Sequence, residues 1–190
     1  MFERLFGRQR QQPVAAPAES PASPLAWTQV AYAAMNKQFA VANGVMFREH
    51  ASPAPRDRRF AYVWPFGQAL AATLAVATLP DGGQALDRAR LLTQSLFEHY
   101  WDARQNPPGA ASYPVTDGGG TLYYDDNCWL GLDLADLYDA TKVQAVLDDA
   151  TRIWRFVING WDDDDRHPAP GGIFWQYQAG ADPVRDRNTI

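Results

Sequence analysis

At 190 residues, with 46% hydrophobic and 13% aromatic side chains, the chain is long enough for one packed domain and too apolar to stay disordered. Its net charge of −5, with no basic patch, excludes a protein whose affinity rests on clustered Lys and Arg against a nucleic-acid backbone. A single cysteine excludes an intrachain disulfide framework and suits a reducing compartment.

Residues 1–23 read as a flexible arm. Arg4, Arg8 and Arg10 are scattered among Gln, Pro, Ala and Ser, with too few large apolar groups to offset the entropy of ordering. The arm lacks the apolar core of about 7 to 15 residues that an export signal needs, so a cytoplasmic location is expected. No stretch approaches the length of a membrane span. Residues 24–190 then read as one domain. Pro24 suits a first helical turn, and Ala26, Trp27, Val30, Ala33, Ala34 and Phe39 carry a helical period that should stop at Asn43-Gly44. Trp64-Pro65 opens a second helix with Leu70, Leu74 and Ala77 on its apolar face, halted by Pro80. A third follows Asp81-Gly82-Gly83 and aligns Leu86, Ala89, Leu92, Leu96 and Tyr100, and a fourth carries Trp129, Leu130, Leu134, Leu137 and Tyr138. The fifth has the cleanest period, through Val143, Val146, Leu147, Ala150, Ile153, Trp154, Val157 and Ile158, and Asn159-Gly160 should end it as a left-handed cap.

Long helices joined by loops, without a run of alternating strands, predict an all-α array of antiparallel helical hairpins. Two helices separate the loop Asn106 to Gly120 from the loop Trp161 to Gln178, so both should fall at one end. Gly172 to Trp175 is the only segment expected to be extended.

Between the glycine run Gly118 to Gly120 and the fourth helix stand Asp125 and Asp126. An Asp doublet opening a helix is most often a cap. Two carboxylates beside aromatic rings also meet the needs of glycoside hydrolysis. One attacks the anomeric carbon and the other, protonated, serves the leaving oxygen, the pair lying about 5 Å apart in a retaining enzyme. Like charge at that range raises one pKa and makes an acid and a base of identical residues. Cys128 reads as a small buried thiol, because a thiol nucleophile needs a neighbouring base and His50, His99 and His167 lie in unrelated segments. The run Asp162 to Asp165 lacks the alternating spacing and turn glycine of a calcium loop and reads as solvated. Gly118 to Gly120 has neither the phosphate-loop lysine nor the dinucleotide spacing. No metal and no cofactor are expected. Seven Trp and eight Tyr permit stacking on sugar faces, with core packing as the ordinary alternative.

The block YYDDNCWLGLDLADLYDAT, followed one helix later by GWDDDDRHPAPGGIFWQ, resembles glycoside hydrolase family 76, the endo-α-1,6-mannanases. The likeness covers roughly Trp64 to Ile190, with WPFGQAL and the terminal RNTI as further signposts. It implies an (α/α)6 barrel of which this chain holds about the N-terminal half, and a retaining hydrolase of α-mannan with Asp125 as nucleophile and Asp126 as acid/base. The resemblance also implies that Asp162 or Asp163 faces the glycan. Asn127 is a candidate for bonding a sugar hydroxyl, and Tyr123, Tyr124 and Trp161 for a stacking wall. Two alternatives stand beside this reading: a half-barrel that binds mannan without turnover, and another (α/α)6 sugar enzyme such as an epimerase or an unsaturated-uronide hydrolase. With half a barrel, the inner faces of the second and fourth helices should be partly uncovered and favour self-association.

Overall fold

The computed structural model describes residues 23–167 and 170–177; the expected arm, apart from Ser23, and the terminal Arg187-Asn188-Thr189-Ile190 lie outside the described residues. Helix α1 (Pro24–Phe39) starts at Ser23, whose Oγ accepts the N–H of Ala26 at 3.2 Å. Its period does not run on to Asn43-Gly44. The chain leaves the helix at Ala40 for β1 (Ala40–Val41), which pairs antiparallel with β2 (Met46–Phe47). Asn43 and Gly44 sit in left-handed backbone, φ 58° and 86°, so this dipeptide turns a hairpin where the sequence reading had a helix stop.

Helices α2 (Val63–Ala77), α3 (Gly83–His99), α4 (Tyr124–Thr141) and α5 (Gln144–Asn159) follow close to their expected positions. α1 packs on α2, α2 on α4 and α4 on α5, with α3 backing α2 and touching α4. The apolar stripes of the sequence meet here: Phe66 and Leu70 of α2, Leu92 and Leu96 of α3, Leu130, Leu134 and Leu137 of α4 and Ile153 of α5 are all fully buried. Each such side chain contributes about 1.5–3 kcal/mol on leaving water. Gly67 makes the α2–α4 contact close, since a Cβ there would stand 3.2 Å from Leu130. That approach fixes where the first turn of α2 lies relative to the first turn of α4.

Extended structure is wider than the one segment expected. Besides β1–β2, β3 (Trp101–Asp102) pairs with β4 (Gly109–Ala110), and β5 (Leu122–Tyr123) pairs with β6 (Gln176–Tyr177). Ile173 bridges Trp161. Gly160 is not the expected left-handed cap: its φ is −79°, and a Cβ would strike the Tyr124 ring at 2.7 Å, so glycine is required there for space. Beneath β5 and β6, Ala111, Leu122, Tyr124, Phe156 and Phe174 form a second small core. Large apolar side chains remain exposed on α1 (Trp27, Val30), α4 (Trp129, Leu132) and α5 (Trp154, Ile158), whereas on α2 the apolar stripe is covered and Trp64 stands out. Among the described residues no helix is long and apolar enough to cross a membrane.

Candidate functional site

Asp125 and Asp126 occupy the second and third positions of α4, after Tyr123, which supplies no side-chain cap. Neighbouring side chains in mid-helix diverge round the axis. At a helix mouth both can reach the space above the end, and here they line one cavity of about 460 Å³ together with Tyr123, Trp64 and Trp175. Three elements therefore converge. Trp64 comes from the first turn of α2, which is tied down by the Val63 N–H donating to the Ser112 carbonyl at 2.8 Å. Trp175 comes from the approach to β6, and its carbonyl accepts the Tyr124 N–H at 3.0 Å. Its ring lies 5.1 Å from that of Tyr123. The loops after α3 and after α5 thus reach one end of the array.

Asp125 Oδ1 accepts the backbone N–H of Asp126 at 3.0 Å. No Lys, Arg or His among the described residues pairs with either carboxylate. Burial pushes Asp126 up from 3.8 to about 6, with the neighbouring charge of Asp125 adding to the shift. Desolvation, more than like charge, thus lifts Asp126 into the range where a carboxyl keeps its proton in mildly acidic solution. A helix N-terminus favours the charged form, so burial outweighs it here. Cys128, half-buried just below, has its thiol pushed up by burial and then by Asp125, which keeps it protonated.

Several candidates lie elsewhere. Tyr124 is buried and stacked on Phe156, centroids 4.8 Å apart, and so belongs to the small core; the cavity wall comes from Tyr123. Asn127 is fully buried. Its Oδ1 accepts the Ala110 N–H at 2.8 Å, and its Nδ2 donates to the carbonyls of Ala110 at 3.0 Å and Tyr123 at 2.8 Å. With its amide spent on β4 and the chain entering α4, Asn127 positions the doublet and presents nothing to the cavity. Trp161 is exposed but does not line the cavity with the doublet; its ring end lies near Gly171. Asp162 is buried, with Oδ1 2.7 Å from His167 Nδ1 and 3.2 Å from the Asp164 N–H, and it closes a turn. Asp163 is exposed and does not line that cavity. Trp64 and Trp175 were not singled out from sequence as site residues, although both lie in the quoted segments WPFGQAL and GGIFWQ. Among the described residues no three His, Cys, Asp or Glu side chains converge on a metal position.

The model of the family described as glycosyl hydrolase family 76 matches residues 25–190. Three solved structures, all from Bacteroides thetaiotaomicron, share the fold. A family 76 α-mannanase superposes with a TM-score of 0.67 at 19% identity, over 80% of this chain and 40% of its own. A family 76 protein named as a mannosidase gives 0.63 at 22% identity, over 87% and 43%. A family 76 glycoside hydrolase from a bovine strain gives 0.63 at 22%, over 80% and 32%. The chain therefore spans less than half the length of each of these proteins. No curated protein matches it.

Proposed function

The chain belongs to glycosyl hydrolase family 76, and from that premise we propose that it carries the catalytic carboxylates of a retaining hydrolase of α-1,6-linked mannan. The observation that supports this most is the doublet itself: two carboxylates that no cation pairs with among the described residues, in one cavity with three aromatic rings, and Asp126 pushed up to about 6 by its burial. Asp125 attacks the anomeric carbon and forms a glycosyl ester, while Asp126 gives its proton to the departing glycosidic oxygen. Asp126, now a carboxylate, then takes a proton from water as the water oxygen attacks the same carbon and releases Asp125. Trp64, Tyr123 and Trp175 supply ring faces for the sugar units on either side.

The test is turnover of α-1,6-mannan by the chain and its variants. Asp125→Ala and Asp126→Ala should each lower kcat by about a thousandfold or more with helical content unchanged. An aryl α-mannoside separates the roles. Its leaving group needs little protonation, so Asp126→Ala should recover glycosylation and Asp125→Ala should not. Proton NMR of the first product should show the α-anomer. A β-anomer as first product, or wild-type turnover in either variant, refutes the assignment. Because the chain spans 32–43% of its relatives, binding of mannan without turnover is the competing reading. Saturable binding by a protein that hydrolyses neither substrate would select it.

A further inference from the structure

Trp64 lines a second cavity besides that of the doublet. This one, of about 300 Å³, lies between the end of α1 (Met35, Phe39), the strand end at Arg48 and Glu49, and the first turns of α2 (Trp64, Gln68). Its wall is apolar with a small polar share, which is the make-up of a small-molecule site. Arg48 carries the argument. It makes no ion pair and no side-chain hydrogen bond among the described residues, and its Nε is buried without an acceptor. A guanidinium half withdrawn from water in this way lacks the acceptors that a cation with five N–H donors requires. Glu49 is already engaged, its Oε2 accepting the Tyr62 N–H at 2.9 Å, so it marks the rim of the cavity rather than neutralising Arg48.

We propose that this second cavity is an accessory subsite that holds one further hexose unit of the glycan bound at Asp125 and Asp126. A hexose offers an apolar C–H face for the rings and ring hydroxyls that accept from Arg48 and Gln68 and donate to Glu49. With Arg48 and Glu49 side by side the cavity carries no net charge, so it suits a neutral ligand that both accepts and donates better than an anion, which could use only Arg48 and would be repelled by Glu49. Continuity through Trp64 makes the ligand an extension of the same chain, and the inference rests on the doublet being a glycan site.

The test is the dependence of affinity on ligand length, measured by titration calorimetry on the Asp125→Ala protein so that ligand is not consumed. α-1,6-mannotetraose should bind about tenfold more tightly than α-1,6-mannobiose. Arg48→Ala should reduce that ratio to below about twofold. Gln68→Trp should do the same by filling the cavity, and because Gln68 is exposed on α2 it keeps the test valid if Arg48→Ala fails to fold. A ratio near one in the parent, or one unmoved by both substitutions, overturns the subsite and leaves the doublet reading intact. A dimer that Gln68→Trp dissociates, with no dependence on ligand length, assigns the cavity to a second copy and also overturns it. Failure of both sugars to bind removes the glycan reading itself and the subsite with it.

Discussion

At the mouth of α4, Asp125 and Asp126 stand without an ion-pair partner among the described residues, whereas after α5 Asp162 meets His167 at 2.7 Å and Asp164 meets Arg166. The two stretches look alike in sequence, each a run of acids beside aromatic residues and at one end of the same helical array. Their protonation runs in opposite directions. Burial lifts Asp126 to about 6, while the hydrogen bonds and charge of Arg166 hold the half-buried Asp164 well below the usual carboxylate range. An acid paired with a cation has its charge already compensated and becomes part of a turn. An acid desolvated without one keeps a proton that it can give away. The contrast separates the chemistry from the scaffold more sharply than the count of acids in either run.

The largest expected effect that sharpens this contrast is pH dependence. Asp126 must be protonated to act as the acid, so kcat/KM on mannan should fall by about tenfold per unit as pH rises beyond about 6, and Asp126→Asn should abolish that limb along with most of the activity. Stability follows the same sign. A carboxyl whose folded pKa lies above its unfolded value contributes stability below the unfolded pKa and loses it as pH climbs through the folded one. Asp126 therefore favours folding at acid pH, as does Asp133, which burial, with Asp136 adding, raises to about 7. Asp102, lowered to about 2 by the Arg104 hydrogen bonds against the opposing effect of its burial, contributes above the unfolded value and loses that on acidification. The melting temperature should accordingly peak near pH 4, decline between about pH 4 and 7, and level off above that. A flat melting profile from pH 5 to 8 would contradict the assigned burial of Asp126 and Asp133.

Next in size is the support beneath the doublet. Asn127→Ala leaves the Ala110 N–H and carbonyl and the Tyr123 carbonyl with lost partners in a buried place, a cost of about 2–4 kcal/mol. In a domain of this size that is a fall in Tm of roughly 4–16 °C, read by thermal melting. An Asn127→Ala variant that melts like the parent but no longer binds mannan would return Asn127 to the role of a sugar ligand. Here the limit of sequence reading becomes visible. The five helices were legible because a 3.6-residue period over four or five turns is a strong signal, and the doublet because two acids stood at the start of one such period. The strand pairs were not, since two residues cannot display an alternation. Nor could the sequence distinguish Asn127 from a ligand-binding amide, because its partner Ala110 lies a whole loop away. Trp64 and Trp175 join the doublet only through the Gly67–Leu130 approach and the β5–β6 pairing, contacts that no local pattern records.

The smallest expected effect falls on Asp163, and it tests whether the second acidic run touches glycan at all. Resemblance sets Asp162 or Asp163 against the sugar, yet Asp162 is buried in its turn with His167 and Asp163 is exposed away from the cavity that holds the doublet. An exposed acid outside the cavity adds little to either binding or folding, since water screens its charge. Asp163→Ala should therefore change kcat/KM on mannan by less than about threefold and Tm by about two degrees or less. Trp175→Ala, which removes a ring from the cavity wall, should lower kcat/KM by about tenfold through the loss of stacking worth roughly 1–1.5 kcal/mol. The pair of variants is informative because both residues lie in one loop, so a general loosening of that loop would affect them together. If Asp163→Ala costs more than Trp175→Ala with the melt unchanged, the glycan runs along the hairpin of Asp162 and Asp163, and the cavity between Trp64 and Trp175 is not its path.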